Sequence, residues 1–116
     1  MTLADKQVAF QRDLRKLMDF IESQGMTFTI GEVHRTKDQQ ALFYQQGKTK
    51  SLSSQHLKKL AAKLCISNDV VDVEFSPIWD VETLKSIGDF WEALDPENQW
   101  GGYWQYADVT SFLRKG

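Results

Sequence analysis

The residues able to do chemistry are few. Among 116 residues there are two histidines, His34 and His56, and one cysteine, Cys65. A cysteine nucleophile needs an imidazole within reach to take its proton. Cys65 instead follows Leu64 and precedes Ile66, an apolar run that suits a buried small hydrophobe better than a reactive thiol. A lone cysteine also leaves no intramolecular disulfide to form. The two histidines with Asp72, Glu74 or Asp108 supply enough ligand types for a metal, yet their spacing matches no recognised metal site. Asp72 and Glu74, two apart on an extended run, would share a face. Such a pair can do acid–base work, and two solvated strand carboxylates are the ordinary alternative. Lys48, Lys50, Lys58, Lys59 and Lys63 gather around His56, either as a solvated rim or as a local basic patch.

These side chains need elements to hold them. Residues 4–24 place Phe10, Leu14, Leu17, Met18 and Ile21 on one helical stripe, with Arg12, Asp13, Arg15, Lys16 and Asp19 opposite. The stripe reads as core. Met26 to Ile30 alternates and is β-rich, a strand. Thr36 with Gln39 three residues on is a capping box for a short helix through Ala41, Leu42 and Tyr44, ending near Gly47. Lys48 to Ser54 is polar and turn-like. Residues 55–66 are ambiguous: Leu57, Leu60, Ala61 and Leu64 have helical spacing, whereas Leu64-Cys65-Ile66 is β-like. Ser67-Asn68-Asp69 reads as a turn and Val70 to Phe75 as the second strand of a hairpin, closed by Ser76-Pro77. Asp80 caps a helix whose Val81, Leu84, Ile87, Phe90, Trp91 and Leu94 are apolar, and Asp95-Pro96-Glu97-Asn98 ends it. Val109, Phe112 and Leu113 finish the chain as a short edge strand.

Length and composition bound the rest. The chain suits one compact domain over residues 1–116 with one core. It is 41% hydrophobic and 26% charged, as soluble globular proteins are. A net charge of −2 gives no global basic field, so nucleic acid is not expected as a direct ligand. The N-terminus, Met1 to Lys6, has no apolar signal-peptide core, and no stretch is long enough to span a membrane. A cytoplasmic location and no membrane partner are the expectations.

Several motifs occur together. Gly31-Glu32-Val33-His34-Arg35-Thr36-Lys37-Asp38-Gln39-Gln40-Ala41-Leu42, the run from Gln46 to Gln55, Phe90-Trp91-Glu92 and Trp100-Gly101-Gly102-Tyr103-Trp104 resemble segments of the VanY-like zinc peptidases. That group includes phage endolysins and bacterial carboxypeptidases that cut peptidoglycan stems between L-alanine and D-glutamate or between two D-alanines. The likeness covers about residues 27–113. It implies an α+β fold, a small antiparallel sheet with helices packed on one side. It also implies a short helix or loop carrying His56, then a strand with Ala61 and Lys63 on one face.

The resemblance also assigns a site, and here the chain departs from the pattern. The family motif S-x-H-x-x-G-x-A-x-D is matched by Ser54, His56 and Ala61, but Lys59 stands for its glycine and Lys63 for its metal-binding aspartate. The closing D-x-x-H-x-E keeps Asp108 and loses both functional positions. Its zinc-binding histidine is Ser111 and its general-base glutamate is Leu113. The glycine-to-lysine change could extend the helix that precedes it. Of the three implied ligands only His56 can bind zinc as the family does. An ammonium about 4 Å from a unit charge is worth roughly 4 kcal/mol at an effective dielectric of about 20, and a dication doubles this. Lys63 therefore opposes zinc, and we expect it to supply the missing positive charge itself, bridging acidic or carbonyl neighbours around His56 and Asp108. Leu113 can neither take a proton from water nor return it. In the family the arginine at Arg35 meets a substrate carboxylate; pairing with Glu32 or Asp72 is its local alternative. Arg35, Ser54, His56, Lys59, Lys63, Trp100, Tyr103, Trp104 and Asp108 are the candidate binding cleft, with Trp100 and Trp104 equally readable as core.

The expectation is a pseudoenzyme: no catalytic residues, no cofactor and no metal, with His56, Lys63, Ser111 and Leu113 as vestigial positions. Its resemblance to phage lysis enzymes implies a phage or prophage source. Its partner would be another protein, for example a component of a host defence system such as CRISPR–Cas. A noncatalytic peptidoglycan-binding module is one alternative, and a divergent active peptidase is another.

Overall fold

The computed structural model of the chain describes residues 1–33, 36–47, 55–68 and 74–116. The first helix, α1 (Leu3–Ser23), starts at a capping box in which Thr2 accepts from the Asp5 N–H and the Asp5 carboxylate accepts from the Thr2 N–H. Phe10, Leu17 and Ile21 are buried on its inner side, and Leu14 and Met18 pack against them. Asp13, expected on the polar face, is buried as well. Its carboxylate accepts from the Asn98 amide at 3.1 Å, and that partner makes the burial tolerable.

Four antiparallel strands follow in the order β1-β2-β4-β3. β1 (Met26–Ile30) pairs with β2 (Ala61–Asn68), Met26 opposite Asn68 and Ile30 opposite Leu64. The first residues of β2 pair on the other side with β4 (Ser111–Arg114), and β4 pairs with β3 (Asn98–Trp100). The final strand is thus interior rather than the edge strand expected. Leaving β3, the chain turns back through residues 101–110 and inserts between β3 and β2, which buries Val109 and Phe112.

Two short helices match their sequence signals. α2 (Lys37–Gln45) begins at the Thr36–Gln39 capping box, with both reciprocal bonds made. α3 (Val81–Leu94) begins at Asp80, whose carboxylate accepts from the Thr83 hydroxyl and the Thr83 N–H. Those two bonds hold the Asp80 carboxyl below its ordinary range. Asp95, which ends α3, is extended, as a residue before proline should be.

The hairpin strand expected over 70–75 is not found where it can be judged. Residues 69–73, with Asp72, lie outside the described residues; Glu74 and Phe75 are exposed and not in a strand. Instead the Ile78 N–H donates to the Ile66 carbonyl at 2.7 Å and the Ser76 N–H to the Ser67 hydroxyl at 3.2 Å. Pro77, between them, has no N–H to give, so contact beside β2 does not grow into a ladder.

The sheet has two different faces. Ala62, Leu64 and Ile66 of β2 are at most 1% exposed and join Leu17, Ile21, Leu84 and Ile87 in one core under α1 and α3. Trp91 sits at its centre, edge-on to both Phe10 and Phe112. Trp100 lies so close to α3 that a Cβ on Gly88 would come within 2.1 Å of the indole. Strand alternation sends Lys63 and Cys65 to the opposite face. Cys65 is accordingly half-buried, across from Thr29, and not the buried core residue expected.

Candidate functional site

The site is built on that second face. Lys63 of β2 lies directly opposite Ser111 of β4, so their side chains emerge side by side. Leu113 lies opposite Ala61 in the same register. Asp108 comes from the turn before β4. Its N–H donates to the Gly101 carbonyl at 2.9 Å and its carbonyl accepts from the Ser111 N–H at 3.2 Å. Gly101 must be glycine, because a Cβ there would stand 2.3 Å from the Asp108 carbonyl oxygen. The same hypothetical Cβ would be 3.0 Å from Ser111 Cβ and 3.1 Å from the Trp104 ring, so Gly101 packs against both.

Both oxygens of Asp108 are engaged. Oδ1 accepts from the Thr110 N–H at 3.0 Å and the Thr110 hydroxyl at 2.6 Å. Oδ2 accepts from the Ser111 hydroxyl at 2.7 Å and from the Lys63 ammonium at 3.1 Å. Burial pushes this carboxyl upward. The hydrogen bonds from Thr110 and Ser111 and the charge of Lys63 outweigh it and bring the pKa down to about 2. The carboxylate is therefore ionised at any ordinary pH and held from both sides.

His56 arrives on a 3-10 turn, Gln55–Lys58, and is 7% exposed. Its Nδ1 is 3.1 Å from the Val33 carbonyl, and a carbonyl can only accept. Nδ1 therefore carries the proton, and in the neutral ring the lone pair is on Nε2. Glu32 Oε1 lies 3.7 Å from the same Nδ1. Glu32 reaches it because the β1–β2 ladder runs on past Ile30: Gly31 N–H donates to the Lys63 carbonyl and Lys63 N–H to the Glu32 carbonyl.

Lys59 does not extend the turn into a helix, as its replacement of a glycine suggested. Its φ is +58°, in the left-handed region that favours glycine. The 3-10 turn therefore ends at Lys58 and does not grow into a longer helix.

Not every sequence-predicted residue gathers here. Arg35, Ser54 and His34 lie outside the described residues. Trp100 is fully buried, with its indole N–H donated to the Val109 carbonyl, and so belongs to the core. Tyr103 is exposed and its hydroxyl donates to the Asp89 carboxylate. That bond and the neighbouring acidic charge push its pKa up to about 12. Two contributors escaped the sequence reading. Thr110, two residues after Asp108, has the short Asp-to-Thr spacing of a side-chain-closed turn, a usable signal. Glu32 carried no such signal, since its approach depends on how far the ladder continues.

The arrangement is a charge-satisfied cluster and a poor zinc site. A catalytic zinc takes three protein ligands, drawn from imidazole, thiolate and carboxylate, with one position open. Here the three motif positions offer an imidazole, an ammonium already bonded to Asp108, and a hydroxyl donating to the same carboxylate. Among the described residues no three His, Cys, Asp or Glu side chains come together in a way that could hold a metal ion. These residues do not fit the metal.

Comparison with known proteins bears on the fold. No family model matches the chain, and no curated protein matches it in sequence. Its structure is similar to the crystal structure of the Serratia marcescens L-Ala D-Glu endopeptidase ChiX, with a TM-score of 0.66 and 19% identity, over 96% of this chain and 84% of that one. The chain therefore has a peptidase-like fold, α+β with a four-stranded antiparallel sheet.

Proposed function

With that fold as the premise, we propose that the chain is a peptidase-like protein without zinc chemistry, which acts by binding another protein. The observation that carries this is the Lys63 ammonium on Asp108, 3.1 Å away, at a position where the zinc-peptidase motif has an acidic ligand. The ammonium supplies within the chain the positive charge that a metal would otherwise bring. Ser111 completes the exchange by giving its hydroxyl proton to the same oxygen, Oδ2. Leu113, half-buried in the register of the family's general base, has no proton to exchange. A preserved scaffold with satisfied charges keeps a surface, and a surface binds. The likeness of its motifs to phage lysis enzymes favours a phage or prophage protein, and a component of a host defence system fits such a source as partner.

The test is reconstruction. Lys63→Asp with Ser111→His restores the implied ligand set beside His56, and metal analysis after dialysis against zinc reads the result. We expect about one zinc per chain in the double variant and none in the unaltered protein. Adding Leu113→Glu should then allow measurable cleavage of a stem peptide. A double variant that binds no zinc would show that these positions are not the former site. Zinc bound stoichiometrically by the unaltered chain, with cleavage, would overturn the proposal.

A further inference from the structure

A groove of about 400 Å³ runs along the first half of α1. Its apolar lining is Ala4, Val8, Phe10, Leu14 and Val33, and Gln7, Gln11 and Lys59 complete it. We propose that this groove seats an acidic amphipathic helix of a partner protein. The proposal rests on the binding reading above and supplies its place and its chemistry.

Three features lead there. The first is apolar surface left uncovered on a helix: Val8, in the groove's lining, is 46% exposed. A groove of this volume accommodates a few apolar side chains. The second is the nature of the walls. They are one face of α1 and two loop residues, with no strand among them, so an extended peptide would find no sheet edge to pair with. A helix, whose backbone bonds are satisfied internally, needs no such edge, and the helix-in-groove mode fits these walls. The third is charge. Among the groove's lining residues only Lys59 is charged. Ala4, Val8 and Gln11 lie on one face of α1, and Arg15, four residues beyond Gln11, continues it past the groove's end. Among the described residues neither Lys59 nor Arg15 has a carboxylate within salt-bridge reach. An apolar floor bracketed by two such cations is complemented by an apolar stripe flanked by glutamates or aspartates.

The groove is also joined to the altered site. Val33, in its floor, holds His56 through its carbonyl, and Lys59 follows the turn that carries His56. The Gln7 amide donates to the Lys58 carbonyl at 2.9 Å, tying α1 to that turn.

The probe is a synthetic peptide with leucines at i, i+3, i+4 and i+7 and glutamates at the remaining positions, compared with a version carrying lysines instead. Methyl NMR of the full chain is the readout. The acidic peptide should shift the methyl signals of Val8, Leu14 and Val33 saturably and leave those of Val109 and Ile87 in place. Lys59→Glu with Arg15→Glu should weaken it about tenfold, the effect of two reversed rim charges. Val8→Asp, at an exposed position that leaves the core intact, should abolish it. No shifts at those methyls, or equal binding of the lysine peptide, would overturn the proposal. Zinc content and stem-peptide cleavage, read on the same sample, separate this failure from that of the wider reading. A metal-free, inert protein that ignores the acidic peptide would lose the groove and keep the binding role.

Discussion

Neutralising Asp108 should show how much the altered site stabilises the chain. Its folded pKa of about 2 lies below the ordinary 3.8, because the Thr110 and Ser111 hydrogen bonds and the Lys63 charge outweigh the effect of burial. A carboxyl with a depressed folded pKa stabilises the native state above its unfolded pKa. The contribution fades as pH falls from about 4 through about 2 and is gone only below that, where both states are protonated. A shift of nearly two units corresponds to about 2.4 kcal/mol. Side-chain exposures of 31% for Asp108 and 37% for Lys63 call for a discount for solvent screening, leaving about 1 to 2 kcal/mol. The assay is urea unfolding of the unaltered chain and of Asp108→Asn at a series of pH values. At pH 7 the unaltered chain should be the more stable by that amount, and the two curves should approach each other toward pH 2 and converge below it. NMR titration of the side-chain carboxyl carbon supplies the pKa directly. With Lys63→Met it should move upward yet stay below 3.8, since the Thr110 and Ser111 bonds remain. A carboxyl titrating near 4, or a stability difference unchanged between pH 7 and pH 2, would refute the reasoning.

Other consequences are simpler. Lys59→Gly should raise stability by about 0.5 kcal/mol: the left-handed conformation costs a non-glycine residue about 1 to 2 kcal/mol, and glycine's freedom in the unfolded chain offsets about 0.4 to 1 of that. Thermal unfolding should show this as a gain of roughly 2 °C, and a loss would refute it. Gly88→Ala, favourable in an isolated helix, should instead cost about 1 to 3 kcal/mol in urea unfolding, because its methyl overlaps the Trp100 indole. Purified sacculi should leave the protein in the supernatant on sedimentation; co-sedimentation would favour a peptidoglycan-binding module.

The sequence carried the fold where local physics decides the outcome. Apolar spacing marked α1 and α3, and Thr36 with Gln39 marked the start of α2, because caps and stripes act within a few residues. It failed where an outcome depends on distant partners. Nothing around Val109 to Leu113 says that this strand enters between two others, and nothing around Asp13 announces Asn98, 85 residues away. Lys59 is instructive in another way. Residue type suggested a longer helix, yet the backbone kept φ +58°, so the surrounding fold overrode the propensity of one residue. At the site, Lys63, Ser111 and Asp108 were legible as positions in a motif. Their convergence on one oxygen came only with the register that sets Lys63 opposite Ser111.

Under the proposed function Lys63 stands in place of a metal. Isothermal titration of zinc into the unaltered, chelator-free chain tests this most directly. The prediction is no saturable heat, and no change on His56→Ala. One equivalent bound tightly, and lost with His56→Ala, would contradict it.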